Sequence, residues 1–419
     1  MDAYRATRVA LSIAAVAAGA ASCAGPTPHL TLPPLSLGDP SFFTTLEAYT
    51  AAPIVAGNRV EVLLNGEEIF PAQIDAIRAA RRTITYAQYN VEEGLVTWAF
   101  ADAVAERCRA GVVARILLDG FGTRAAPPPF SQRLTEAGCK VAVFRPLGPH
   151  TLYRANNRNH RRILVVDGRV GFTGGSGLGR TWMGDGRTPQ HWRETDVRVD
   201  GPVVQHLQGA FAENWLEATG EVIGGEDYFP APLPDGGPVH AQVVRSSPAG
   251  GGFAIYTTFL LALSAARRSI DITNPYFLPD DAILDALLDA ARRGVRVRVL
   301  IPSAIDAKIV RLAGRRHFGR LLRAGVEMYE YRPGLLHAKV MVIDGVWSTV
   351  GSTNLDNRSF ALNDELNVIL YDRAVAARLD RVFEQDLRFS SRVDYREWRQ
   401  RSLLTRLVEL FARPLDDQL

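Results

Sequence analysis

Apolar and polar positions follow two different periods along this chain, and the period changes from segment to segment. Short runs rich in Val, Ile, Thr and Tyr, such as residues 83–91 (TITYAQYNV), predict β-strands. Longer stretches with apolar residues three and four positions apart, such as residues 95–111, predict helices. Strand-like and helix-like segments alternate from residue 59 onward. This order predicts an α/β fold with a mostly parallel or mixed sheet and helices on its faces.

The second half of the chain repeats the order of the first half. Residues 259–268 correspond to the helix predicted over 66–82, and residues 269–277 correspond to the strand over 83–91. A further helix and strand, over 280–303, continue the repeat. The chain is therefore predicted to be an internal duplication of two pseudo-two-fold-related domains, with an active site at their interface.

Shifts in composition suggest where these parts begin and end. Pro-rich and Gly-rich stretches flank the two repeats and are typical of tethers and linkers. The predicted division is an export signal with a lipobox over residues 1–23, a Pro-rich tether over 24–45, a first domain over 46–222, a linker over 223–239 and a second domain over 240–419.

The N-terminus indicates export. Arg5 and Arg8 precede an Ala-rich apolar run that is shorter than the ~20 residues a transmembrane helix needs. The sequence AASC places Cys23 after small residues, which is similar to a bacterial lipobox and predicts lipidation of Cys23. An ordinary signal peptide cut elsewhere and an uncleaved anchor are the alternatives. We expect an exported, membrane-anchored protein of the bacterial cell envelope.

Composition limits the partners. The net charge is +3, which is too small to argue for nucleic acid, and no basic track with interleaved aromatic residues is present. We therefore expect no nucleic-acid partner, and we expect a monomer that meets a membrane surface. No His/Cys cluster has the spacing of a metal site, so neither a metal nor another cofactor is expected. Cys108 and Cys139 are interpreted as two small buried residues, with a disulfide between them as the alternative.

Candidate chemistry lies in a motif that occurs twice. In residues 335–354, His337 and Lys339 are two positions apart, so they lie on the same face of a predicted strand. His160 and Arg162 stand at the equivalent places in residues 159–177. An Asp follows each His by seven positions and a Gly follows it by fourteen; these are Asp167, Gly174, Asp344 and Gly351.

A phosphodiester fits this pair of motifs. One neutral imidazole can attack phosphorus and form a covalent intermediate. A second, protonated imidazole can give its proton to the leaving alcohol and later take one from the incoming alcohol or water. Cations and hydrogen-bond donors around the phosphate oxygens stabilise the five-coordinate transition state without a metal.

The motifs resemble those of the phospholipase D superfamily, H-x-K-x4-D followed by G-[GS]-x-N, and the chain is similar to bacterial cardiolipin synthases over residues 58–415. The resemblance implies a phosphatidyltransferase acting on phospholipid. It also implies roles for particular residues. The implied assignments are His160 as nucleophile, His337 as acid and base, Glu194 and Glu365 as their orienting carboxylates, and Lys339, Arg162, Asn354 and Ser352 as phosphate-binding residues.

Four residues of the motifs are expected to be structural. Asp167 and Asp344 directly precede glycines at strand ends and are expected to hold turns and domain contacts, together with Gly174 and Gly351. The sequence does not specify which histidine attacks.

The first motif departs from the family at Arg162 and at Gly177, where the second motif has Lys339 and Asn354. Only three of the 48 basic residues are lysine, so Arg162 is interpreted as a tolerated replacement, and Arg162→Lys is expected to retain or raise activity.

The expected function is cardiolipin synthesis, with phosphatidylglycerol as both donor and acceptor of the phosphatidyl group. Phospholipid hydrolysis, with water as acceptor, is the alternative within the same chemistry. An inactive, membrane-tethered lipid-binding protein with a decayed first half is the alternative outside it.

Overall fold

The structure, a computed structural model, describes residues 31–148, 156–231, 236–247, 252–306 and 308–401. Within these residues the strands form one mixed sheet of fifteen strands. The strands are β1 Val55–Leu64, β2 Thr83–Gln88, β3 Val113–Asp119, β4 Lys140–Phe144, β5 Ile163–Val166, β6 Val170–Gly174, β7 Thr195–Asp200, β8 Val239–Ser246, β9 Ser269–Thr273, β10 Arg296–Pro302, β11 Glu327–Tyr331, β12 Val340–Ile343, β13 Trp347–Gly351, β14 Glu365–Tyr371 and β15 Ser390–Arg392.

The order of the strands shows the duplication. From the centre outward, the first half runs β1-β7-β6-β5-β2-β3-β4 and the second half runs β8-β14-β13-β12-β9-β10-β11, with β15 at its edge. β1 pairs with β8, which joins the halves into one continuous sheet. Parallel pairing is confined to β2-β3-β4 and β9-β10-β11. The sheet is thus mixed and not mostly parallel, because each motif forms a hairpin between the parallel strands and the centre.

Helices cover both faces of the sheet. Several begin at an aspartate whose carboxylate accepts the first free backbone N–H groups, as Asp280 does from Ile283 and Asp372 does from Ala374. The α-helices of the described residues are Pro40–Thr50, Asn65–Ala79, Leu95–Arg109, Pro128–Glu136, Val204–Thr219, Ala254–Ala265, Asp281–Arg292, Lys308–Arg323, Asn357–Ala361, Arg373–Leu387 and Tyr395–Arg399.

Three large apolar cores hold the layers together. One lies within each half, on the outer face of the sheet. The third is shared, and it buries Val165 and Val197 of the first half together with Val342 and Val368 of the second half. Because burial of apolar side chains is the main stabilising term in folding, this shared core fixes the two halves against each other.

The predicted tether is wrong in its second part. Residues 24–30 lie outside the described residues, but the helix Pro40–Thr50 begins within the predicted range. Leu37, Phe42 and Leu46 are buried in the core of the second half. The Pro-rich composition concealed this, because Pro40 occupies the first turn of a helix, where its missing N–H does no harm.

Each motif forms a hairpin, and its histidine precedes the strand. The strands of the second motif begin only at Val340 and at Trp347, so His337 and Lys339 lie in the extended segment before β12 and not on the strand as predicted. Asp344 and Gly345 both have positive φ, 55° and 63°, which is the two-residue turn that Asp-Gly favours.

The aspartates of both turns are structural. Asp344 accepts hydrogen bonds from the backbone N–H groups of Arg267, Arg268 and Ser269, at 2.7–2.9 Å. Asp167 has the same positive φ, 52°, and accepts from three N–H groups at residues 81–83. Each carboxylate therefore ties the hairpin to the start of the neighbouring strand.

Cys108 and Cys139 form a disulfide. Their Cα atoms are 5.6 Å apart, and the bond joins the helix Leu95–Arg109 to the start of β4. The interpretation as two separate buried cysteines is therefore wrong. Each cysteine alone has the composition of a core position, and only the fold brings the two sulfurs together.

No helix of the described residues is long and apolar enough to cross a membrane. Cys23 and the rest of residues 1–30 lie outside those residues.

Candidate active site

The two motif histidines are held at equivalent positions by the opposite half of the chain. The backbone N–H of His160 donates to the carbonyl oxygen of Asp364 at 2.9 Å, and that of His337 donates to the carbonyl oxygen of Arg193 at 2.8 Å. Asp364 and Arg193 each directly precede one of the two predicted glutamates. The pseudo-two-fold relation between the halves therefore includes equivalent backbone hydrogen bonds at the site.

The glutamates pair with the histidines across the interface. Nδ1 of His160 lies 2.9 Å and 3.1 Å from the two carboxylate oxygens of Glu365. Nδ1 of His337 lies 2.6 Å from Oε2 of Glu194. Each pair joins one half to the other, a connection that the sequence left open. A complete histidine–carboxylate unit therefore exists only when both halves are assembled.

Each cation of the motif lies beside its own histidine. Nζ of Lys339 is 2.8 Å and 3.0 Å from the two ring nitrogens of His337. One terminal nitrogen of Arg162 donates to the carbonyl oxygen of His160 at 3.0 Å, and the other lies 3.2 Å from Nε2 of His160. Each imidazole thus has a cation beside it, and Arg162 and His160 lie near enough to His337 to lower its pKa, an arrangement that suits a phosphate group.

Ser352 does not have the predicted contact. Its hydroxyl donates to the carboxylate of Glu365 and accepts from the backbone N–H of Leu366 at 3.0 Å. It therefore holds the carboxylate that orients His160, and it is not directed at a phosphate. Sequence reasoning missed this because the carboxylate lies on β14, thirteen positions after the serine.

Asn354 and Gly177 differ in their surroundings although they stand at equivalent positions. Asn354 is buried, and its amide oxygen has no hydrogen-bond partner among the residues described. Gly177 packs against the indole of Trp182, and a Cβ at Gly177 would lie only 2.5 Å from that ring. A side chain at position 177 is excluded by packing.

The motif glycines Gly174 and Gly351 allow strands to approach closely. A Cβ at Gly174 would lie 2.1 Å from a carboxylate oxygen of Asp196, and one at Gly351 would lie 2.4 Å from the carbonyl oxygen of Leu366. Asp196 and Leu366 lie beside the two glutamates on β7 and β14. The glycines therefore let the hairpins pack against the strands that carry the carboxylates.

Aromatic side chains line the site unequally, and Tyr89, Trp182 and Trp192 were not assigned to it from the sequence. Among the described residues, the ring of His337 has Trp192 at 5.0 Å, Trp182 at 6.0 Å and Tyr276 at 6.3 Å, whereas that of His160 has Tyr89 at 4.9 Å. The sequence did offer a signal for Trp192, because this residue stands two positions before Glu194. The site is thus enclosed mainly on the His337 side.

Burial and neighbouring charges shift the pKa values of the two histidines. Burial, together with the positive charge of Arg162, lowers the pKa of His160 to about 4 despite the carboxylate of Glu365. The pKa of His337 is also lowered, first by burial and then by Lys339 and Arg162. His160 is therefore neutral at neutral pH.

Burial also shifts the pKa values of the two glutamates and of Lys339. Burial raises the pKa of Glu194, although Lys339 opposes the shift. For Glu365 burial acts in the same direction, but the contacts with His160 and Ser352 outweigh it and lower the pKa. Burial also lowers the pKa of Lys339 to about 7.

None of the described ranges contains a group of three His, Cys, Asp or Glu residues that could hold a metal ion. Of the other histidines, His240 is exposed on β8, and His150 lies outside the described residues.

Comparisons with known proteins agree with this geometry. The family described as "Cardiolipin synthase, PLD-like domain" matches residues 73–215 and 259–387. A cardiolipin synthase of Geobacillus kaustophilus is 36% identical over 365 residues, which cover 87% of this chain and 73% of that protein. A cardiolipin synthase A of Pseudomonas putida is 37% identical over 350 residues, which cover 81% of this chain and 72% of that protein.

Solved structures show the same fold. The phosphatidylserine synthase of Haemophilus influenzae superposes with a TM-score of 0.66 at 12% identity, covering 90% of this chain and all of that chain. The polyphosphate kinase of Porphyromonas gingivalis gives a TM-score of 0.53 at 11% identity, covering 94% of this chain and 59% of that chain. At these identities the likeness concerns the fold alone.

A duplicated fold with paired histidine motifs at the interface defines the phospholipase D superfamily, and this chain belongs to it. Within the superfamily it belongs to the family of cardiolipin synthase PLD-like domains. The chain is an enzyme, a phosphatidyltransferase that acts on phospholipid.

Proposed function

We propose that this enzyme makes cardiolipin from two molecules of phosphatidylglycerol through a phosphohistidine intermediate. The observation that carries the proposal is the pair of crossed contacts, His160 with Glu365 and His337 with Glu194. Two independently oriented imidazoles on one phosphate fit a reaction in two displacements. The names of the relatives supply the substrate class.

In the first displacement, Nε2 of His160 attacks the phosphorus of one phosphatidylglycerol. The bond from phosphorus to the headgroup glycerol oxygen breaks, and His337 gives a proton to that oxygen. Glycerol leaves, and the phosphatidyl group remains on His160. Lys339 and Arg162 stabilise the charge that develops on the phosphate oxygens.

In the second displacement, a headgroup hydroxyl of another phosphatidylglycerol takes the place of the glycerol. His337, now neutral, accepts the proton of this hydroxyl while its oxygen attacks phosphorus. The bond between phosphorus and His160 breaks, cardiolipin is released, and both histidines return to their starting states.

The choice of His160 as nucleophile is supported by its hydrogen bonds. Its Nδ1 faces the carboxylate of Glu365, so Nδ1 carries the proton and Nε2 carries the lone pair. An N–H of Arg162 at 3.2 Å from Nε2 fits this tautomer. The pKa of His160, about 4, keeps its imidazole neutral and able to attack.

The acid role of His337 rests on its partner. Burial raises the pKa of Glu194 and lowers that of His337, so the two groups that meet over the 2.6 Å contact have closer proton affinities than the free side chains. The positive charge of Lys339 disfavours the protonated form of His337. A phosphate anion beside Lys339 offsets that charge. Binding of substrate therefore moves the proton toward His337.

The test is to incubate the purified protein with phosphatidylglycerol vesicles and identify the products. Cardiolipin and glycerol in equal amounts are expected, with or without a strong chelator, because Lys339 and Arg162 supply the positive charge. His160→Ala should abolish the products, and the exposed His240→Ala is the matched control. Phosphatidic acid and glycerol without cardiolipin would show that water is the acceptor and would contradict the proposed transfer.

We also propose that the protein is exported and anchored through a lipid on Cys23. The disulfide between Cys108 and Cys139 supports an oxidising compartment, where such bonds persist. Cys23→Ala should leave the protein unprocessed or release it from the membrane fraction, as measured by fractionation and mass spectrometry. An unchanged mass and distribution would favour an uncleaved anchor or binding through the folded domains.

A further inference from the structure

The two cations of the site are not equivalent. Within the described residues, the ammonium group of Lys339 has hydrogen-bond contacts only with His337, at its two ring nitrogens and its carbonyl oxygen. Arg162 carries five N–H donors on its guanidinium, of which two are directed at His160. Its Nε is buried and has no hydrogen-bond partner in the part of the chain that the structure describes. Arg162 thus holds a buried donor that the protein itself does not use.

The first half lacks the side-chain amide that the second half has at Asn354. In the second motif Lys339 is followed fifteen positions later by Asn354, whose side-chain amide is buried. The first motif has Gly177 there, and the indole of Trp182 occupies the space of any side chain. Trp182 is itself fully buried and packs on Trp192. The first half therefore cannot place an amide where the second half has one.

A third difference accompanies these two. The guanidinium of Arg162 lies over the ring of Tyr89, 5.8 Å from its centre. The equivalent position in the second half is Pro275, which offers no aromatic face. A planar guanidinium stacks on an aromatic ring, whereas the compact ammonium of lysine has no such planar surface. The surroundings of Arg162 therefore suit arginine in particular.

We propose that Arg162 performs in the first half the two tasks that Lys339 and Asn354 divide in the second, giving the phosphate both a charge and a directional donor. This inference rests on the proposed function and deepens it. It follows that Arg162→Lys removes a donor that nothing else in this half replaces, and the substitution is not conservative. The expectation from sequence, that lysine would retain or raise activity, is reversed.

The first test compares Arg162→Lys with Arg162→Ala and with Arg198→Lys, a matched control on β7 whose side chain pairs with Asp200 and lies over the ring of Phe172. Arg162→Lys should lower kcat by about a hundredfold, the scale of one lost transition-state donor, with an unchanged melting temperature. Arg198→Lys should match the parent. Activity of Arg162→Lys within about threefold of the parent would overturn the inference.

The second test places the arginine and the glycine of the first motif in the second motif, at positions 339 and 354. Asn354→Gly should lose activity, and adding Lys339→Arg should recover at least part of the loss, because a guanidinium then replaces the lysine and the amide together. Lys339→Arg alone should bring no gain. A double variant no more active than Asn354→Gly would contradict the proposed equivalence.

A binding measurement separates this inference from the proposed function. Inorganic phosphate is titrated calorimetrically into the parent, Arg162→Lys and Arg198→Lys proteins, since this needs no turnover and no particular lipid. Phosphate affinity at least tenfold weaker for Arg162→Lys supports the inference even if the lipid product is not cardiolipin. Equal affinities would overturn it even if cardiolipin is made.

Discussion

Nδ1 of His160 lies 2.9 Å from Oε1 of Glu365, a residue 205 positions later in the chain. The reciprocal contact, from His337 to Glu194, spans 143 positions in the opposite direction. Because each half supplies the carboxylate for the histidine of the other, disturbing the interface disturbs both imidazoles at once. The duplication therefore yields one active site and not two.

The roles of the two histidines can be separated with an activated substrate. A phosphatidyl ester of p-nitrophenol needs no proton on its leaving group, so His337→Ala should still release p-nitrophenol in a first turnover. Mass spectrometry of that variant should find the phosphatidyl group on His160. His160→Ala should give no burst and no label. A label on His337 in the parent protein would reverse the assignment.

The crossed pairs can be tested in the same background. In His337→Ala, adding Glu194→Gln should leave the burst rate unchanged, because the histidine that Glu194 orients is already absent. Adding Glu365→Gln should lower the burst rate on the order of a hundredfold or more, by analogy with the loss of an orienting carboxylate in a triad. Stopped-flow absorbance measures both rates. The opposite pattern would show that each glutamate serves its own half.

Activity should fall as the pH rises through about 7. Burial lowers the pKa of Lys339 to about 7, more than the nearby carboxylate of Glu194 can offset, so the ammonium loses its charge in this range. Because the charged form stabilises the transition state, kcat/KM should decline on the alkaline side. Lys339→Arg keeps its charge and should lack this decline, even at reduced activity. The same inflection in both proteins would assign it to another group.

The disulfide should stabilise the first half. Cys108 and Cys139 are 31 positions apart, and a crosslink of that length contributes about 3–4 kcal/mol by restricting the unfolded chain. Cys108→Ser and Cys139→Ser should therefore unfold at lower urea concentration. Reductant should destabilise the parent and leave both variants unchanged. A parent protein indifferent to reductant would contradict a stabilising role.

Several features were predictable because they depend on residues close in sequence. Asp344 and Gly345 form their turn from local backbone preferences, and the spacing of His337 and Lys339 brings their side chains together in any extended segment. The repeat of the motif around His160 likewise needs no folded structure to be seen. These local patterns were enough to predict the fold class, the duplication and the candidate reacting groups.

The remaining features depend on contacts that only the folded chain makes. The hydroxyl of Ser352 contacts Glu365 because β13 and β14 pair, and the ring of Trp182 fills the space beside Gly177. Phe42, which falls within the predicted tether, is buried in the core of the second half.

The sequence by itself determined which chemical groups the site contains and how they repeat along the chain. Tertiary structure alone decided which carboxylate serves which histidine, that Cys108 and Cys139 are bonded, and that the first half has room for Arg162 but not for an amide at Gly177. The physical reason is that hydrogen-bond partners and packing volumes are set by atoms brought together in space. Spacing along the chain does not specify those neighbours, whether they lie five positions apart, as Gly177 and Trp182 do, or 205, as His160 and Glu365 do.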